Sequence, residues 1–156
     1  MSKTIKHDLT YDASLDDVAA MLKDPAFREQ VCDHQGVLSH DVTVDGSHVR
    51  IKQVQAARGI PSFAAKFVGD EITIVQEEEW RSPDRGDITV TIPGKPGDMK
   101  GTAVLRESGG TTTETVQLTI KVGIPLVGGK IEGLIGDLLL KALKAENKVG
   151  RDYLAG

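Results

Sequence analysis

The sequence predicts an α+β domain in which a curved antiparallel sheet of about seven strands packs around one long C-terminal helix, with two short helices after the first strand. Three observations carry this. Segments of alternating polarity, separated by turn residues, run from about Val37 to Val122. The stretch from Leu126 to Tyr153 changes to a helical period. Two brief helical patterns stand between the first alternating segment and the rest.

Lys3 to Tyr11 alternates, with Ile5, His7, Leu9 and Tyr11 on one face of a first strand. Ser14 is placed as an N-cap, Asp16 and Asp17 sit at the positive helix end, and Leu15, Val18, Ala19 and Leu22 recur at helical spacing. Asp24-Pro25 ends that helix near Lys23 and can begin a second, with Phe27 and Val31 on its buried edge. Leu38, His40, Val42 and Val44 then alternate up to Asp45-Gly46, a hairpin signal, and Val49, Ile51 and Gln53 return along the partner strand. Gly59 to Gly69 is read as one helical turn or a compact loop. Further strands are expected over Glu71–Arg81, Asp87–Ile92, Lys100–Glu107 and Thr112–Val122, divided by Ser82–Gly86, Pro93–Asp98 and Ser108–Gly110. On the last helix, Val127, Ile131, Leu134, Ile135, Leu138, Ala142, Ala145, Val149 and Tyr153 share a broad face that needs a large surface to cover. Lys130, Asp137, Lys141, Lys144, Lys148 and Arg151 lie opposite.

Composition narrows the function classes. At 156 residues the chain is read as one domain over residues 1–156, with enough sequence to bury a core. One cysteine, Cys32, precludes an intramolecular disulfide framework and fits a reducing compartment. The N-terminus turns polar at once and no stretch reaches the ~20 apolar residues of a membrane span, so a cytoplasmic setting is the default. A net charge of −4 and the absence of clustered Lys/Arg with interleaved aromatics argue against nucleic-acid binding. Only six residues are aromatic, so aliphatic side chains must fill the interior, or leave part of it open.

Tyr11-Asp-Ala-Ser-Leu-Asp-Asp-Val18 with Asp24-Pro-Ala-Phe-Arg28, Lys66-Phe-Val-Gly69 leading to Glu79-Trp80, and Lys130-Ile-Glu132 through Arg151-Asp-Tyr-Leu154 carry a resemblance. Together with the element order, they resemble the helix-grip superfamily of START-type lipid-transfer domains, birch-pollen-allergen relatives and polyketide cyclases. Within it they resemble an uncharacterised actinobacterial branch. The resemblance covers essentially the whole chain. It implies a cavity between the concave sheet face and the C-terminal helix, holding a sterol, lipid, polyketide or other apolar molecule. It carries over no catalytic residue and no cofactor.

Ile72, Ile74, Gln76, Glu78 and Trp80 share the expected inner face of their strand. Glu78 there is either a desolvated acid–base group, or a carboxylate that reaches the open rim or pairs with an arginine such as Arg58 or Arg106. Trp80 is either a ligand wall or a core plug, and Gln53 and Gln55 are polar handles if they face inward. Cys32, His34, His40, His48 and the distant His7 lack metal-ligand spacing, and no oxyanion motif accompanies a Cys–His pair. Phe63 and Phe67, four apart between glycines, form a lid over a cavity mouth or an anchor in the core. Gly129, Gly133 and Gly136, with Leu140 and Leu143, form a second flank of the last helix, which either admits the close approach of another backbone, from the short helices or a second subunit, or gives the helix slack to adjust around a ligand.

The expected function is therefore binding or carriage of a hydrophobic small molecule, with Phe63, Phe67, Ile74, Gln76, Trp80, Ile135, Leu138 and Leu139 around the ligand. The alternatives are a cyclase- or dehydratase-like enzyme using Glu78 with His40, and a protein-interaction module using the glycine/leucine flank. The expected state is a monomer or weak homodimer.

Overall fold

The computed structural model describes residues 2–156. The chain runs β1 (Lys3–Tyr11), α1 (Leu15–Leu22), α2 (Pro25–Gln35), β2 (Ser39–Asp45), β3 (His48–Ala56), α3 (Ser62–Val68), β4 (Glu71–Ser82), β5 (Arg85–Thr91), β6 (Asp98–Ser108), β7 (Thr111–Lys121) and α4 (Gly128–Leu154). The seven strands form one antiparallel sheet in the order β1-β7-β6-β5-β4-β3-β2. Consecutive strands from β2 to β7 are neighbours, as short turns dictate, and the first strand closes on the last. Helices α1 and α2 carry the chain from one edge of the sheet to the other.

Local chemistry sets the helix ends. Ser14 Oγ accepts from the Asp17 amide at 3.2 Å, and Asp24 Oδ1 accepts from the Ala26 amide at 3.0 Å, satisfying N–H groups that the helices leave free. Gly36 ends α2 at φ +70°, a left-handed conformation that favours glycine. The last helix begins two residues later than its periodicity suggests, because Leu126 adopts φ +72° and cannot join a right-handed turn. At its start the buried Glu132 turns back to the sheet, its Oε2 accepting from the Val122 amide at 2.8 Å.

The seating of α4 differs from the sequence expectation, which laid its broad apolar face on the sheet. The most buried positions of the helix are instead Gly128, Glu132, Gly136, Glu146 and Gly150. A Cβ on Gly136 would lie 3.1 Å from Lys3 Cε and 3.3 Å from Ile5 Cγ2, and one on Gly150 would lie 2.7 Å from the Tyr11 ring. Of the glycines expected on the second flank, Gly136 meets β1 of the same chain, whereas a Cβ on Gly133 would meet nothing within 4 Å; Gly150, outside that expected set, makes the other close approach to β1. Lacking side chains there, the helix comes down close on that edge of the sheet, while its bulky face stands over the sheet's middle. Leu138 remains 47% exposed although it belongs to the apolar face.

Candidate ligand cavity and its buried inner end

The raised face of α4 roofs a cavity of about 450 Å³. Ile131, Leu134, Ile135, Leu138, Leu139, Ala142 and Ala145 descend from the helix; Gln53, Gln55, Ile72, Ile74, Gln76, Val90 and Met99 rise from β3 to β6. Helix α3 closes one side with Ala64 and Phe67, and His34, Gln35, Lys95 and Lys141 contribute polar groups to the lining. A smaller recess of about 70 Å³ is lined by Gln35, Gln53, Gln76, Leu139 and Ala142, which also line the main cavity, and by Arg28, Cys32 and Glu146. It forms the inner end.

Of the residues singled out from sequence, Phe67, Ile74, Gln76, Ile135, Leu138 and Leu139 line the main cavity. Phe63 and Trp80 do not. The inward pair on α3 is Ala64 and Phe67; Phe63 lies one position around the helix and its ring sits 5.9 Å from Lys130 Nζ. Trp80 is 4% exposed and lies across Gly86, where a Cβ would be 2.8 Å from the indole; its place is in the core beside the β4–β5 irregularity. His40 and Glu78 are not brought together. The His40 ring is 3.1 Å from Asp33 of α2, whereas Glu78 belongs to a buried layer of charged groups between α2, β4 and α4.

That layer centres on Arg28, which is 3% exposed. Its Nε donates to the Leu22 carbonyl at 2.8 Å, Nη1 to Glu146 at 2.8 Å and Nη2 to Glu78 at 2.7 Å. One guanidinium thus ties α2 to both β4 and α4. Glu78 also accepts from Trp80 Nε1 at 3.0 Å and from Gln76 Nε2 at 2.5 Å, so both oxygens of its carboxylate are engaged. Its partner is an arginine, though neither Arg58 nor Arg106. Glu114 on β7 is buried nearby with Oε1 lacking a hydrogen-bond partner among the described residues, as does the Tyr11 hydroxyl. The neighbouring Asn147 amide donates to the Thr10 carbonyl at 3.1 Å.

One arginine among three carboxylates leaves an uneven balance. Burial pushes the Glu146 carboxyl up to about 6, against the pull of Arg28 and with the push of Glu78. Burial, followed by the charges of Glu146 and Glu78, holds Glu114 well above the usual carboxylate range. Tyr11 is likewise raised by burial and by Glu146 and Glu114. Cys32, at the recess wall, is pushed up to about 11 by burial, which keeps it a thiol rather than a nucleophile at neutral pH.

A pH dependence of stability follows. With Glu146 moved from 4.5 to about 6, the native state holds a proton that the unfolded chain has already released across this window. Raising the pH from about 4.5 to 7 should therefore remove about 2 kcal/mol of stability through this group alone, with Glu114 acting in the same direction. Urea midpoints should fall as pH rises over that interval, and Glu146→Gln should flatten the slope. A midpoint that rises steadily from pH 4.5 to 7 would contradict this assignment.

Residues 6–154 match the model of a family described as "Protein of unknown function (DUF2505)". An uncharacterized protein of Mycobacterium tuberculosis is 34% identical over 103 residues, covering 62% of this chain; the chain spans 59% of the length of that curated relative. Among solved structures, the di-domain ARO/CYC BexL from the BE-7585A biosynthetic pathway superposes with a TM-score of 0.72 at 15% identity, covering 97% of this chain and 49% of that one. Norcoclaurine synthase from Thalictrum flavum, in complex with dopamine and hydroxybenzaldehyde, gives 0.65 at 17% identity and covers 96% and 86%. These likenesses establish the helix-grip fold. Among the described residues, no helix is long and apolar enough to cross a membrane.

Proposed function

Starting from a chain that belongs to the DUF2505 family of proteins of unknown function, we propose that it binds and carries a hydrophobic small molecule, of lipid, sterol or polyketide type, between α4 and the sheet. The observation that carries the reading is the open apolar volume. Protein interiors normally close-pack, and a gap of about 450 Å³ beneath a helix forfeits dispersion contacts on both of its walls. That volume lies in the range of roughly 300–1,000 Å³ usual for small-molecule pockets. Aliphatic side chains dominate the lining and a few amides punctuate it, the composition that such pockets use to hold and orient an apolar guest. The norcoclaurine synthase structure, which shares the fold, is described with two small aromatic molecules bound, and this supports the same use of the space here.

Titration with Nile red, a neutral dye whose emission rises in apolar surroundings, tests the reading. Saturable enhancement at one dye per chain is expected, together with a co-purifying small molecule in native mass spectrometry of protein taken directly from cells. Emission indistinguishable from dye in buffer at saturating protein would overturn it.

One observation favours a second reading, acid–base catalysis of the cyclase or dehydratase kind. Glu146, poised near 6, borders the inner recess and has the titration range of a working general acid or base. In that case Glu146→Gln would abolish turnover of a substrate while leaving dye binding intact.

A further inference from the structure

The inner end of the cavity holds one guanidinium against the carboxylates of Glu78, Glu146 and Glu114, and its polar lining includes Gln53, whose Oε1 accepts from Gln55 at 3.2 Å and whose Nε2 is left as a donor. Gln76 must turn its Nε2 toward the Glu78 carboxylate, since its carbonyl oxygen there would face a negative charge; its Oε1 is thereby left as an acceptor. Glu146 lines the recess, gives Oε1 to Arg28, and has no hydrogen bond to Oε2 among the described residues. Its residue is only 9% exposed, so this oxygen opens toward the cavity rather than to bulk water. Three of the five Arg28 N–H groups are directed at Glu78, Glu146 and the Leu22 carbonyl, and its single positive charge stands against the two carboxylates it touches. Glu114 adds a third buried carboxyl behind it.

We infer that the cavity selects an elongated apolar molecule whose buried end is a hydrogen-bond donor, a hydroxyl or ammonium group, seated on Glu146 Oε2 and Gln76 Oε1. The inference rests on the carrier reading and specifies which guest it carries. A purely apolar chain end leaves two buried acceptors unpaired, and a carboxylate there meets like charges at short range. The donor end satisfies both acceptors and places its chain against Ile74, Ile135 and Leu139. The polar residues Lys95 and Lys141, both exposed, then stand at the outer part of the cavity.

Three ten-carbon probes with the same outer carboxylate separate the possibilities: decanoate, 10-hydroxydecanoate and decanedioate, each displacing Nile red at pH 7.5. A featureless apolar cavity ranks decanoate first, because burying a hydroxyl without a partner is unfavourable. The donor-selective inner end reverses this. The hydroxy acid should bind at least as tightly as decanoate and about tenfold more tightly than the diacid, the difference one charge-assisted hydrogen bond supplies. Glu146→Gln should erase most of the gap between hydroxy acid and diacid. Tighter binding of decanoate than of the hydroxy acid, a diacid that binds as well as the hydroxy acid, or a gap unchanged in Glu146→Gln would overturn the inference. The ranking in the unmodified protein decides the matter even if the variant fails to fold. If Nile red binds but none of the three probes displaces it, this inference fails and the carrier reading stands; if Nile red does not bind either, both fail.

Discussion

Arg28→Met should destabilise the protein by about 3–5 kcal/mol, the usual consequence of removing one partner from a buried ion pair. The loss comes less from the contacts themselves than from what they leave behind. Glu78 and Glu146 approach the guanidinium at 2.7 and 2.8 Å with side-chain exposures of 4% and 11%, so neither can recover its hydration when the arginine is gone. Methionine keeps much of the volume of the arginine stem, which separates the charge effect from a packing defect. Urea denaturation followed by Trp80 fluorescence would measure it. The same substitution on a Glu78→Gln/Glu146→Gln background should cost far less, since no buried charge is then stranded. An Arg28→Met protein within about 1 kcal/mol of wild type would show that the network is solvated and not a structural clasp.

Ala142→Trp should reduce Nile red affinity by about 100-fold or more while leaving the fold intact, because the indole occupies the space where main cavity and recess join. Filling an existing void adds apolar burial without displacing packed atoms, so the melting temperature should hold or rise. This pairing of lost binding with preserved stability distinguishes a ligand cavity from a core defect. Unaltered dye affinity in a folded Ala142→Trp protein would place the binding surface elsewhere. Circular dichroism and the dye titration on one preparation give both halves of the result.

Much of the architecture was legible because it repeats. Alternation from Leu38 to Val122 and the Asp45-Gly46 turn determine strands and their neighbours, since an antiparallel meander needs only local information. The site was legible in one layer only. Ile74, Gln76, Ile135, Leu138 and Leu139 follow from the faces of β4 and α4, but Arg28, Glu114 and Glu146 were missed. A signal existed for each. Arg28 keeps step with Val31, Cys32 and Gln35 along α2, Glu114 alternates with Val116 and Leu118, and Glu146 falls between Ala142 and Gly150. A charge in phase with an apolar stripe is buried with a partner or pointed into a cavity. Which partner it meets is not a local property: Arg28 and Glu146 are separated by 118 residues.

The seating of α4 misled for a related reason. Hydrophobic periodicity reports which face avoids water, and both a packed surface and a ligand space satisfy it. Only the glycines distinguish the two, because close approach needs the absence of a side chain rather than the presence of an apolar one.

That division of labour along α4 has an evolutionary consequence. The height of the roof is set where Gly136 and Gly150 touch β1, whereas the shape of the space beneath is set by Ile131, Ile135, Leu138 and Ala142 on a different face. Substitutions in the second group can alter what fits without moving the first. Relatives that keep the glycines can therefore diverge freely in their guests, and a swap of cavity residues between two such relatives should transfer ligand preference without transferring thermal behaviour.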